Sequence, residues 1–148
     1  MIENLQGDVI SIKISIKTDK KEVAAFLKTM KDIFEDKAFS ADRDFILIRS
    51  KKEGREQYST PYTLVDLDYD VDDVIKNLKE LRIEDYSETL YDMDDANPPL
   101  LFVFGKDIRG RQIYIKVKIK NGRSRRVLCV SFHYAEYKMK FPYLQAGN

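Results

Sequence analysis

The chain has one cysteine and one histidine among its 148 residues. A single cysteine, Cys129, excludes an internal disulfide and points to a reducing, cytoplasmic setting. A lone Cys with a lone His, His133, also excludes the usual zinc spacings, so any metal would have to be held by carboxylates alone. No apolar run is long enough to span a bilayer. The opening stretch MIENLQGDVISIKISIK interleaves lysine with isoleucine, so no secretory leader is expected there. Repeats, low-complexity tracts and flexible linkers are missing, as are a glycine loop that would cradle a nucleotide phosphate and a recognisable nucleophile motif.

What is present suits one soluble domain covering residues 1–148: 43% hydrophobic and 34% charged residues, with a net charge of +1. That near-neutral total hides a segregation. Residues Asp66 to Ala96 hold twelve acidic and three basic side chains, whereas Gly105 to Arg126 hold nine basic and one acidic. Either the two segments neutralise each other across the fold, or the basic one presents a local field to a polyanion.

Periodicity organises the chain. Ile10, Ile12, Ile14 and Ile16 alternate with polar residues, which predicts a half-buried strand over Asp8–Lys17. Val23, Phe26, Leu27, Met30, Ile33 and Phe34 mark an amphipathic helix capped by Thr18 or Asp19 and running to about Asp36. A short strand follows at Phe45–Arg49, then a polar loop over residues 50–61. A second helix is expected over Asp70–Leu81, with Asp70, Asp72 and Asp73 at the positive end of its dipole. The acidic segment IEDYSETLYDMDDANPP reads as a turn region. Three strands complete the chain: Leu100–Lys106, Gln112–Lys120 and Arg126–Tyr134.

The last two strands should form a hairpin. A two-residue turn at Asn121-Gly122 places Tyr114 opposite Cys129, and a four-residue turn places it opposite Ser131. Either register puts Leu128, Val130 and Phe132 on the face of Ile113, Ile115, Val117 and Ile119. Gln112, Tyr114, Lys116, Lys118, Ser131 and His133 then share the opposite face.

The segments EDYSE (84–88), VFGKDIRGRQIYIKVKI (103–119) and VSFHYAEYKMKFPY (130–143) resemble the MqsR family of type II toxins. The resemblance covers roughly residues 20–143 and is strongest from Asp85 onward. It implies a RelE-like α+β fold: an antiparallel sheet with two main helices packed on one face, here with an extra N-terminal strand. It implies an mRNA endoribonuclease that uses no cofactor or metal and is silenced by a cognate antitoxin protein. Tyr114, in QIYIK, matches the family's active-site tyrosine. His133 stands where better-studied members carry a lysine, Lys106 lies near a polar catalytic position, and Glu88 replaces another lysine.

Metal-free RNA cleavage needs a base for the 2′-hydroxyl, an acid for the 5′-oxygen and cations for the developing charge. His133, with an ordinary pKa of ~6.5, suits the proton transfers, and Tyr114 suits donation. Lys106, Arg111 and Lys116 are candidates for the phosphate, and Lys118, Arg123, Arg125 and Arg126 for a backbone track. Tyr134, Tyr137 and Phe141 are able to stack on bases, whereas the plainer reading has Tyr137, Phe141 and Tyr143 anchor the C-terminal segment to the core. The competing reading is a non-catalytic RelE-like module that binds nucleic acid or a protein. Glu88 and the acidic stretch from Glu84 to Asp95 would suit a basic partner.

Overall fold

The computed structural model describes residues 14–145, preceded by two short strands, β1 (Ile2–Glu3) and β2 (Val9–Ile10), which pair antiparallel with each other. Then come β3 (Ser15–Ile16), α1 (Lys20–Glu35), α2 (Ala41–Asp44), β4 (Phe45–Leu47), α3 (Thr60–Leu67) and α4 (Val71–Lys79). Four strands close the chain: β5 (Tyr86–Tyr91), β6 (Leu100–Ile108), β7 (Arg111–Lys120) and β8 (Arg126–Tyr134). One open sheet runs β3-β5-β6-β7-β8-β4. It is antiparallel except where β4 lies parallel to β8. The class is α+β, as the resemblance implied.

Both expected helices form for the expected reasons. Asp19 caps α1 by accepting from the Glu22 amide at 2.9 Å, and Asp70 and Asp73 cap α4 reciprocally. Their apolar stripes, including Val23, Met30, Ile33, Val74, Ile75 and Leu78, bury against Phe104, Ile113, Ile115 and Phe132. Helix α3 lies in the segment expected to be a loop or featureless. Its signal is local: Ser59 caps it by accepting from the Tyr62 amide, and Pro61 occupies its first turn.

Two further expectations change. The N-terminal strand appears as Val9–Ile10 and Ser15–Ile16, with residues 11–13 outside the described residues. β3 pairs with β5 at the sheet edge, and Ile14 and Ile16 stay 48% and 38% exposed there, so the isoleucine face is not packed into the core. The acidic turn region contains β5. Its alternation is broken at Ser87, where the register against β6 slips between Tyr86 and Glu88.

The hairpin adopts neither expected register. Tyr114 pairs with His133, and Lys116 with Ser131, but Val117 pairs with Cys129. Val130 is thus an extra residue, a β-bulge that reverses the side-chain alternation on its two sides. Val127 and Cys129 consequently enter the core and Leu128 and Val130 do not, the reverse of the expected assignment. Beyond the bulge the expected faces hold, with Phe132 in the core and Ser131 and His133 on the opposite, open face.

Candidate functional site

The two bulges sit at one level of the sheet. Between them run the cross-strand rows Glu88–Val103–Lys116–Ser131 and Gly105–Tyr114–His133, both on the open face. Bulges bend and twist a sheet locally, which here makes a concavity. Its floor is apolar: Val103 packs with Leu90 and Leu101, and with Tyr114, Val130 and Met139 around them.

The C-terminal segment forms one wall. The Lys140 carbonyl accepts from Ser87 Oγ at 2.7 Å, and the Tyr143 hydroxyl donates to the Thr18 carbonyl at 2.5 Å while its ring stacks on Tyr86. Phe141 and Met139 lie directly over Gly105, where a Cβ would stand 2.6 Å from Phe141 Cζ. Phe141 and Tyr143 therefore anchor this segment, whereas Tyr137 is 75% exposed at the cleft.

The opposite wall is the segment 48–59. The Ile48 amide donates to the Cys129 carbonyl, the last bond of the β4–β8 ladder before the bulge. Past that point threonine hydroxyls replace β4 as partners of the β8 edge. Thr60 Oγ1 accepts from the Phe132 amide and Thr63 Oγ1 from the Tyr134 amide, both at 3.0 Å. The chain between is folded against the end of β8, and Arg55 holds Glu136 at 2.6 Å. The resulting cleft, about 580 Å³, is lined by five basic and two acidic side chains. The basic ones are Lys52, Arg55, Lys116, Lys138 and Lys140; the acidic ones are Glu88 and Glu136.

His133 occupies the cleft floor at 6% exposure, its ring stacked on Tyr114 with centroids 5.2 Å apart. Nδ1 is 2.9 Å from the Tyr134 carbonyl, which only accepts, and Nε2 is 3.2 Å from Lys52 Nζ. Those partners assign a neutral tautomer: Nδ1–H donates to the carbonyl, and Nε2 accepts from the lysine ammonium. Burial pushes the His133 pKa down to about 4; the Tyr134 carbonyl opposes this, and the charges of Lys52 and Lys116 add to it. Burial also raises the Tyr114 phenol to about 12, with the charge of Glu88 adding. Near neutral pH the pair is an unprotonated imidazole beside a protonated phenol.

Of the catalytic and phosphate-binding residues proposed from the sequence, the sheet brings together His133, Tyr114 and Lys116, with Glu88 in the row of Lys116 and Tyr137 at the rim. Lys106 pairs with Ile113 on the helix-covered face and bonds Glu80 at 2.5 Å, so it stands apart from the cleft. Arg111 stacks 3.5 Å from the ring centroid of Tyr134, a core-facing residue at the strand end. Lys118 shares the open face but is fully buried. Its ammonium holds Asp92 at 2.5 Å and the carbonyls of Asp95 and Pro98, pinning the loop after β5. Arg126 pairs with Lys120, six residues along β7 from Tyr114, about 20 Å away at strand spacing. Arg125 lies beside Asp44 and Ser124 at the hairpin end.

Lys52, Arg55, Glu136, Lys138 and Lys140 went unassigned from the sequence. Lys52 and Arg55 sit in a polar loop with no periodic signal, and only the pinning of that loop at Cys129, Thr60 and Thr63 brings them to His133. Among the described residues, no group of three His, Cys or carboxylate side chains gathers to hold a metal ion, and no helix is long and apolar enough to cross a membrane. Compared with protein-family models, with curated proteins and with solved structures, the chain matches none.

Proposed function

We propose that the chain is a toxin-like endoribonuclease of the MqsR kind, cleaving mRNA in the cytoplasm by attack of a 2′-hydroxyl on the adjacent phosphate, without a metal ion. A cognate antitoxin protein would silence it. The observation that carries this reading is the neutral His133, with Nε2 an acceptor in a cleft lined by lysines and stacked on Tyr114.

Nε2 takes the 2′-hydroxyl proton as the 2′-oxygen bonds to phosphorus. The bond from phosphorus to the 5′-oxygen breaks, and that oxygen takes the Tyr114 proton. A phenol held at about 12 keeps its proton at neutral pH, yet an alkoxide leaving group is far more basic and removes it. Water then restores the proton to Tyr114 and removes the one on His133. Lys116, beside Ser131 in the adjacent row, neutralises charge developing on the phosphoryl oxygens. The products end in 2′,3′-cyclic phosphate and 5′-hydroxyl.

The test is cleavage of mixed-sequence RNA by the whole chain in EDTA. Fragments with cyclic phosphate ends are expected, and His133→Ala should slow their formation about 10²–10⁴-fold. A folded protein that leaves RNA intact, with and without ribosomes, would replace the enzyme reading with a binding module.

A further inference from the structure

The sequence left the segment 50–59 without a role, yet it places a lysine ammonium on the one imidazole in the chain. A base whose accepting nitrogen is already hydrogen-bonded to an ammonium cannot accept a proton. The resting cleft therefore holds its base in a blocked state. Lys52 belongs to a turn, its carbonyl accepting from the Arg55 amide at 2.9 Å, with Gly54 at φ +76°. The side chain reaches His133 from the rim over a flexible four-carbon stem. The ion pair of Arg55 with Glu136 holds the base of that turn.

We propose that Lys52 is a phosphate-displaced mask on His133: its ammonium occupies Nε2 in the resting protein, and a phosphodiester entering the cleft draws that ammonium onto a phosphoryl oxygen, releasing Nε2 to accept the 2′-hydroxyl proton. The inference rests on the RNA-cleaving reading for its chemistry, but the phosphate-driven exchange itself is independent of turnover. Charge favours it. An ammonium bonds a phosphate anion more strongly than a neutral imidazole, because both partners are then charged. The same phosphate offsets the cations that disfavour a charged imidazole, Lys52 from its loop and Lys116 from β7.

Among the described residues, two carboxylates also line this cleft. Glu136, from the C-terminal segment, is held by Arg55, and Glu88, from β5, accepts from Ser15 Oγ at 2.6 Å. Lys138 and Lys140, from the C-terminal wall, add positive charge on the far side. Binding thus unblocks the base and raises its basicity together.

Because His133 is the only histidine, its Cε1–Hε1 NMR signal reports this group alone. The experiment is a pH titration of that signal in the whole chain, with and without a non-cleavable 2′-deoxy dinucleotide phosphate, in wild type, Lys52→Met and Lys52→Arg. The wild-type midpoint should lie near 4 and rise by about one unit with the probe. In Lys52→Met it should already be raised without probe, and the further rise should shrink. Lys52→Arg should retain both features, since it keeps the charge. Amide spectra establish that each variant is folded. A midpoint indifferent to Lys52→Met, an equal probe response in that variant, or no probe response in wild type would each overturn the mask. RNA cleavage alongside an unmoved midpoint would sink the mask and spare the enzyme. A displaced midpoint without cleavage would do the reverse.

Discussion

At the residue scale, His133 shows how one group's environment fixes its role. Its buried, neutral form is held at about 4, against about 6.5 for an exposed histidine. An unfolded chain binds this proton more tightly than the folded one. The stability contributed by the neutral ring is therefore fully present above about pH 6.5 and is lost as pH falls towards 4. Urea midpoints measured over that window should fall in wild type and fall less in His133→Asn. Parallel curves would mean that the ring titrates normally. Gly105 makes a second residue-scale case. Its missing Cβ is the space that Phe141 and Met139 fill, so Gly105→Ala should lower stability by about 1–3 kcal/mol by displacing the C-terminal wall. Denaturant unfolding checks this, and a neutral outcome would show that Phe141 shifts without cost. His133 and Tyr114 were legible because strand alternation placed them on one face; Lys52 was not, because no period runs through its loop.

At the scale of elements, the bulges decide more than the hairpin turn does. Alternation in ten-residue β7 reads correctly from end to end, and the stripes of α1 and α4 likewise match their buried positions. β5 and β8 each carry one extra residue, and a single insertion reverses every side chain beyond it. That explains why Cys129 is buried where the alternation predicts Leu128, and why no unbroken period of 2 runs through β5. It also separates two lysines that look alike in YIKVKIK. Lys118 is 1% exposed and paired with Asp92 at 8%, so Lys118→Ala leaves a buried carboxylate unpaired. That should cost about 3–5 kcal/mol and loosen the loop after β5. Lys116→Ala, at the cleft, should cost less stability than Lys118→Ala and weaken RNA binding more. Thermal melts and RNA affinities of the two variants should show opposite patterns. Identical patterns would contradict the division of roles.

For the whole molecule, the charge segregation resolves into both readings at once. Lys106, Lys118 and Lys120 of the basic segment close onto Glu80, Asp92 and Asp95 of the acidic one. The Lys120 bond is the leading reason that Asp95 is held down to about 2. Most of the cleft's cations come instead from the loop before α3 and from the C-terminal segment. If three or four of them meet phosphates, the affinity of His133→Ala for single-stranded RNA should fall with salt at a log–log slope of about −2 to −3. Fluorescence anisotropy across ionic strength measures it, and a slope near −6 would mean that the β7–β8 arginines also take part.

The sequence by itself determined helices α1 and α4, the three long strands, and the face shared by His133, Tyr114 and Lys116. Those features follow from periods of 3.6 and 2 that each segment carries within itself. Only the tertiary structure decided the hairpin register, the burial of Lys118, the removal of Lys106 and Arg111 to the other face, and the meeting of Lys52 with Nε2. Each depends on which groups find partners across the fold, between segments far apart in the chain, and no local period records that.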